Sequence, residues 1–217
     1  TSNRKMVVIN PLKLTITNYS EDQEELVTTE NNPEQKNAGH REIPFSKHLY
    51  IEKEDFLEAA GKKFFRLTIG KEVRLKSAYI IRGERAIKNK EGDIVEVQCT
   101  YDLKSKSGSG TEESLRKVKG TLHWVSKNHA TPVEIREYDR LFMVPAPGAE
   151  DDFIKDLNPN SLKTKKGFAE PSLANPKINE KFQFQRKGYF VVDKDSTKDA
   201  VVFNKTVALR DTWKKQR

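Results

Sequence analysis

Apolar and polar residues alternate along most of this 217-residue chain, and that pattern limits the folds open to it. Leu12, Leu14 and Ile16 are separated by single polar residues, and Val73 and Leu75 follow the same rule. Alternation at a period of two is typical of strands with one buried face and one solvated face. The chain is therefore predicted to be mainly β.

The same pattern recurs in many short runs, and few segments have helical character. Predicted helices are confined to 54–60 and 149–157, while 21–39 and 104–111 are predicted as a surface loop and a flexible loop tip. Many short antiparallel strands in a chain of this length predict two small antiparallel β-barrels with a few short helices. Further strands are predicted at 95–101, 121–126, 133–142, 182–186, 189–193 and 201–209, with a hairpin turn at 89–93.

The chain carries few features of a membrane-bound or secreted protein. No apolar run approaches the roughly 18–20 residues of a membrane span, which argues against a transmembrane protein. Its single cysteine, Cys99, can form neither an internal disulfide nor a thiolate zinc cage, so a reducing, cytoplasmic setting is expected. The start Thr-Ser-Asn-Arg-Lys lacks an initiator Met and an apolar signal region, and a piece of a longer protein is expected.

Positive charge is concentrated in one stretch of the sequence. The net charge is +8, and the window 62–90 alone holds ten Lys and Arg against two Glu. The first 50 residues, by contrast, hold six basic and seven acidic side chains. A basic segment with interleaved aromatic residues is the pattern expected of a protein that binds a polyanion such as RNA. A basic face that is merely solvated is the alternative.

No constellation of residues points to catalysis. The phosphate-binding, dinucleotide-binding and nucleophile-elbow motifs are missing, and the four histidines do not have the spacing of a zinc protease. No catalytic residue and no metal ligand is therefore predicted, and the pattern favours binding over chemistry.

Several polar side chains are placed to bind from the wet face of a strand. In the segment 181–186, Gln183 and Gln185 point away from the side on which the phenylalanines lie, and paired amides can read an unstacked base. Arg74 and Lys76 share one strand face, and Arg66 can bind phosphate or guanine through its planar fork. For Gln183, Gln185, Arg74 and Lys76, the alternative is that they are ordinary solvent-facing strand residues.

Seven ordered strings of the sequence together carry a resemblance to one family. They are INPLKLTITNY (9–19), IPFSKHLYIEKEDF (43–56), GKEVRLKSAYII (70–81), VKGTLHWVSKNHATPVEIREYDRLF (118–142), GFAEPSL (167–173), FQFQRKGYF (182–190) and VFNKTVALRDTW (202–213). With these strings the chain resembles, over essentially its entire length, the C-terminal anticodon-binding region of the glutaminyl-tRNA synthetase family. Neither the HIGH-type nor the KMSKS-type catalytic signature is present.

This resemblance implies two β-barrels and a role in a larger enzyme. The proximal barrel would comprise 1–47 and 146–217, and the distal barrel 48–145. The parent would be a class I aminoacyl-tRNA synthetase that attaches glutamine to tRNA(Gln) using ATP with Mg. Glutamine and ATP would bind only to its catalytic domain. The present region would hold no cofactor, would be inactive alone, and would bind tRNA(Gln) as a monomer.

The resemblance also assigns contacts to the three anticodon bases. Arg4 and Gln183, with Gln185 beside them, would contact the central uridine. Arg66 would read the third base, a guanosine. Arg74 would read the first base.

Other positions depart from the family pattern or lie around the bases. Lys76 stands near Arg74 where an Arg can occur in relatives. Lys63 and Phe65 precede the base-reading arginine where relatives can carry Gln and Lys, and Phe65 can stack on a base but donates no hydrogen bond. Glu34 lies where an Asn contacts the anticodon loop. Arg186 and Thr212 match positions that line the anticodon or couple it to the barrel.

Two other readings of the sequence stay open. A glutamyl-tRNA synthetase of the type that shares this barrel architecture is one. A stand-alone RNA-binding barrel protein is the other.

Overall fold

The computed structural model describes residues 2–149 and 152–209, and within these ranges the fold is mainly β. The one α-helix of the described part, α1 (Glu112–Leu115), is a single turn. The strands in chain order are β1 (Asn3–Lys5), β2 (Val7–Val8), β3 (Pro11–Ile16), β4 (Glu25–Glu30), β5 (His40–Phe45), β6 (His48–Glu52), β7 (Glu72–Leu75), β8 (Ile80–Lys88), β9 (Ile94–Tyr101), β10 (Thr121–Leu122), β11 (Val125–Ser126), β12 (Thr131–Tyr138), β13 (Leu162–Ala169), β14 (Lys181–Phe184), β15 (Gly188–Val192) and β16 (Val201–Val207).

These strands form two barrel-like sheets, one nearly closed and the other a half-barrel, as the sequence predicts. The first sheet has the order β1-β14-β15-β16-β12-β13-β2, and the second has the order β10-β7-β8-β9-β3-β6-β11. A separate hairpin joins β4 to β5. Most neighbours are antiparallel, but β1/β14, β12/β16, β3/β9 and β7/β10 are parallel pairs.

Each sheet draws strands from both of the predicted domains. Strand β3 lies within 1–47 but pairs in the second sheet, and β12 lies within 48–145 but pairs in the first. The division into 1–47 with 146–217 and 48–145 stays a prediction.

The alternating residues fill two separate cores. In the second sheet, Leu12 and Leu14 are buried with Trp124, whose ring meets Phe45 edge-on at a centroid distance of 5.1 Å. In the first sheet, the rings of Phe184 and Phe190 stack at 4.1 Å. Because alternate residues of a strand face opposite ways, burial of the apolar set directs the polar set outward.

The structure corrects both predicted helices. The segment predicted as a helix at 54–60 begins within a 3₁₀ turn, Lys53–Asp55, which is followed by the extended residue Phe56 and a bend at 58–59. The amide of Leu57 donates to the carbonyl of Leu67 at 3.1 Å, so the chain bonds across to another segment rather than to itself. In the second segment, 149–157, the structure has a 3₁₀ turn at Phe153–Asp156, and residues 150 and 151 lie outside the described ranges.

Both predicted loops are more ordered than expected. The prediction of a surface loop at 21–39 is wrong, because this polar segment contains β4, whose Val27 is buried. In 104–111, Ser105 is buried, and its hydroxyl oxygen accepts from the amide of Ile80 at 2.8 Å. The first half of this loop is therefore packed against the second sheet.

Several predicted strands are shorter than expected. The strand at 121–126 is divided into β10, which pairs with β7, and β11, which pairs with β6, so the chain changes partner at His123 and Trp124. Strands predicted to reach 142, 186, 193 and 209 end at Tyr138, Phe184, Val192 and Val207.

Three further observations concern the predictions about membranes, metals and the cysteine. Within 2–149 and 152–209, no helix combines the length and apolar character needed to cross a membrane. No group of three or more His, Cys, Asp or Glu side chains in the described ranges is arranged to hold a metal. Cys99 is buried, and burial raises the pKa of its thiol.

Candidate nucleic-acid interface

A cleft of about 240 Å³, here called the central cleft, lies between the edge of the first sheet and the second sheet. The first sheet contributes β1, β14 and the turn after β14, and the second contributes the ends of β7 and β10. Side chains far apart in sequence therefore meet in one depression. Five predicted site residues line it, namely Arg4, Lys76, Gln183, Gln185 and Arg186.

Strand pairing places the side chains of Arg4 and Gln183 together. Parallel pairing of β1 with β14 sets Arg4 opposite Gln183, and Arg4 Nε donates to Gln183 Oε1 at 3.0 Å. Since Phe182 and Phe184 are buried on the other face, Gln183 has to face the cleft. The bond fixes the Gln183 side chain through its oxygen, which leaves the amide nitrogen to donate to a ligand.

Arg4 is also bound by an acidic side chain. Its Nη2 forms an ion pair with Glu34, which lies beyond β4 and is exposed to solvent. Glu34 thus places a negative charge beside a cleft that Glu30 also lines and whose charged predicted site residues are basic. This charge opposes binding of a polyanion.

A second cleft of about 490 Å³, here called the basic cleft, lies on the second sheet. Phe65 and Arg66 line it, and the Phe65 ring is 52% exposed. The Nζ of Lys119 lies 5.6 Å from the centroid of this ring, and Lys71 and Arg82 are further lining residues. An exposed aromatic ring among cations is suited to stack a base and hold its phosphates.

Two of the predicted residues lie in neither cleft. Lys63 is exposed on the surface and is not part of the basic cleft wall. Arg74 is turned inward, where its guanidinium donates to the carbonyls of Ser105 at 3.0 Å and Ser114 at 2.9 Å. Burial lowers the pKa of Arg74. Arg74 therefore holds the 105–116 segment in place, and its contact with the first base stays a prediction. Thr212 lies outside the described residues.

Buried acids connect the two sheets beside these clefts. Glu52 is fully buried and accepts from the backbone amides of Ile9 at 2.9 Å and Asn10 at 3.1 Å. Its carboxylate also lies 3.1 Å from Nζ of Lys187 and 3.3 Å from Nε2 of His123. Burial alone would raise the pKa of Glu52, but the bonds and charges of these partners outweigh it and lower the pKa to about 2.

Asp55, three residues later, is equally buried and binds two arginines. Both terminal nitrogens of Arg186 bond to it, with Nη1 at 2.9 Å from Oδ2, and Arg66 Nε lies 3.3 Å from Oδ1. Sequence reasoning missed Glu52 and Asp55, because acids in a polar stretch are usually solvated. The one available signal was that Asp55 directly precedes an apolar residue, Phe56.

Comparison with known proteins agrees with this geometry. Two family models match the chain, at residues 2–102 and 121–193, and both are described as "tRNA synthetases class I (E and Q), anti-codon binding domain". A glutamine–tRNA ligase of Rhodopirellula baltica is 52% identical over 215 residues, covering 98% of this chain and 35% of the relative. A glutamine–tRNA ligase of an Enterobacter species is 51% identical over 213 residues, covering 98% of this chain and 38% of the relative.

A third relative, the glutamine–tRNA ligase of Shigella boydii, is 52% identical over 213 residues. The chain spans little more than a third of the length of these curated relatives. The two matched segments nevertheless cover most of the chain and every strand of both barrel-like sheets except β16. The chain therefore belongs to the family of anticodon-binding domains of the class I tRNA synthetases for E and Q.

Proposed function

We propose that this chain recognises the anticodon of tRNA(Gln) as part of a glutamine–tRNA ligase. The observation that carries the proposal is the hydrogen bond between Arg4 and Gln183 in the central cleft. The chain that contains this pair is about half identical to proteins named glutamine–tRNA ligase. The longer protein would attach glutamine to tRNA(Gln) with ATP and Mg in a separate catalytic domain. The present region would be inactive alone and would act as a monomer in the cytoplasm.

In the proposed complex, each cleft takes a different part of the anticodon. Arg4 and Gln183, with Gln185 beside them, hold the central uridine through its oxygen acceptors. Arg66 reads the third base, a guanosine, and Phe65 stacks in the same cleft. Base contacts of this kind specify sequence, while the surrounding cations bind phosphate without reading it.

The remaining predicted residues act at the edges of these contacts. Arg74 and Lys76 serve the first base, with Arg74 also fixing the 105–116 segment. Lys63 supplies charge, and Arg186 and Thr212 couple the anticodon to the barrel. In the longer enzyme, correct anticodon contacts are proposed to raise aminoacylation at the distant active site.

The proposed function predicts RNA binding with two separable components. The chain is titrated with a hairpin carrying the tRNA(Gln) anticodon loop and with a hairpin of equal length and scrambled loop. The cognate hairpin should bind more tightly, and affinity for both should fall at least about fivefold between 50 and 200 mM salt, as two or more phosphate contacts require. Equal affinity for the two hairpins would support a general RNA-binding protein instead.

A glutamyl-specific relative is the second candidate, because the matched family models include both specificities. Glutamine anticodons end in guanosine, whereas glutamate anticodons end in cytidine, and both share the central uridine. A hairpin with cytidine at the third position should therefore bind more weakly than the cognate hairpin. A preference for cytidine would assign the chain to the glutamate enzymes.

Replacing Glu34 with glutamine should tighten binding of the anticodon hairpin. The substitution removes the negative charge that pairs with Arg4 while keeping a side chain of the same size. Exposed ion pairs contribute about 0.2–1 kcal/mol, so the expected gain is about 1.4- to fivefold in affinity. Glu91→Gln, in the 89–93 hairpin turn, is a charge-matched control that should change the affinity less. Weaker binding of the Glu34 variant would show that this carboxylate helps to hold the RNA.

A further inference from the structure

The buried carboxylate of Asp55 joins two arginines from connecting segments beside different sheets. Arg186 follows β14 of the first sheet, and both of its terminal nitrogens bond to Asp55. Arg66 approaches from the second-sheet side, with Nε 3.3 Å from Asp55 Oδ1 and Nη1 3.0 Å from the carbonyl oxygen of Glu54. One acid therefore fixes the positions of two side chains that line different clefts.

The backbone conformation of Arg186 also indicates that this side chain is held in a fixed position. Arg186 has φ of +66°, a left-handed conformation that non-glycine residues seldom adopt. It lies in the tight turn between β14 and β15, where the amide of Lys187 donates to the carbonyl of Phe184 at 3.0 Å. Such conformations persist only where surrounding contacts hold them, and they cluster at binding sites.

The charges at this point are shared between neighbouring groups. Two guanidinium groups share the Asp55 carboxylate, while the ammonium of Lys187, next to Arg186, is shared by Glu52 and Glu54. The Asp55 side chain is fully buried, whereas those of Arg66 and Arg186 are 43% and 32% exposed. Their inner edges are therefore fixed by Asp55 while their outer edges face solvent. A guanidinium with one edge fixed presents its other donors in a defined direction.

We propose that Asp55 is a positioning residue that makes Arg66 and Arg186 one anticodon-reading unit. The inference rests on the proposed function and extends it, because it makes third-base recognition depend on both sheets at once. A base bound by Arg66 then draws on the same carboxylate that holds Arg186 at the wall of the central cleft. The alternative is that Asp55 only links the two sheets structurally. In that case, replacing Asp55 would leave the preference for the third base unchanged.

The test compares Asp55→Asn with Glu54→Gln in the whole chain. Both substitutions remove one negative charge at neighbouring positions, but the Glu54 side chain binds Lys187 and neither arginine. Hairpins with guanosine or adenosine at the third anticodon position measure the base preference, and thermal unfolding measures the fold. We expect Asp55→Asn to reduce the preference for guanosine about tenfold, and Glu54→Gln to retain it. A preference retained in Asp55→Asn, or lost equally in both variants, would overturn the proposal.

A double-mutant cycle decides the question even if Asp55→Asn fails to fold. Arg66→Ala and Arg186→Ala are measured singly and together for guanosine preference. If the two arginines act as a unit, the second substitution should remove little beyond what the first has removed. If the two substitutions lower the guanosine preference by independent factors that multiply in the double variant, coupling through Asp55 is contradicted. If the unmodified chain binds all hairpins equally, the proposed function fails, and Asp55 is a structural tie only.

Discussion

Replacing Glu52 with alanine is expected to lower the free energy of unfolding by about 3–5 kcal/mol, the usual cost of breaking a buried ionic cluster. The carboxylate is fully buried, and its loss would leave the amides of Ile9 and Asn10 without their acceptor. Lys187, from the first sheet, would keep only its pair with Glu54. Urea denaturation at neutral pH measures the change.

The matched control is Glu54→Ala, which removes the other carboxylate that contacts Lys187. Glu54 is exposed, so its pair should contribute only about 0–1 kcal/mol. Similar losses for the two variants would contradict the interpretation that burial and backbone bonding make Glu52 the stronger link.

Glu52 should also make the free energy of unfolding depend on pH, with stability lost as the pH falls. Its pKa is about 2 in the folded chain against an ordinary value of 4.5, so folding favours the ionised form. Its stabilisation is therefore present above pH 4.5 and is lost as the pH falls towards 2. A shift of this size corresponds to about 3 kcal/mol. The stability difference between the unmodified chain and Glu52→Gln should shrink by about that amount over this range, and a difference independent of pH would contradict the assignment.

Arg4→Ala and Gln183→Ala are each expected to reduce the preference for a central uridine by about 1–3 kcal/mol, the scale of one good base contact. Because Arg4 Nε and Gln183 Oε1 are 3.0 Å apart, either loss also releases the other side chain. The effects should therefore be less than additive in the double variant. Competition binding between hairpins that differ only at the central base measures the preference.

Lys90→Ala provides the control for charge. Lys90 is exposed in the hairpin turn between β8 and β9 and lies in neither cleft. Its removal should weaken all hairpins alike and leave the base preference unchanged. Equal weakening of all hairpins by Arg4→Ala and Gln183→Ala would place these residues in phosphate binding instead.

Local pattern was sufficient to predict about half of the strands and the directions of several site residues. Alternation around Phe182 and Phe184 correctly directs Gln183 away from the core, because this depends only on strand geometry. The prediction that Arg4 and Gln183 act together came from the family resemblance, because a local pattern does not show which distant segments pair.

Other features depend on tertiary contacts that no local pattern contains. Asp55 is buried, and its carboxylate is bound by Arg186, which lies 131 residues later in the chain. Arg74 appeared to belong to a solvated strand face, but the 105–116 segment covers it and supplies its acceptors. The polar segment 21–39 contains a strand because β5 pairs with it.

The most direct measurement is the dissociation constant of this chain for two hairpins that differ only at the central anticodon base. Strand pairing holds Arg4 and Gln183 together in the central cleft, where both can donate to the oxygens of uridine. Replacing uridine by cytidine exchanges one acceptor oxygen for a donor amine, so the dissociation constant should rise about tenfold. Equal dissociation constants for the two hairpins would contradict recognition of the anticodon by this cleft.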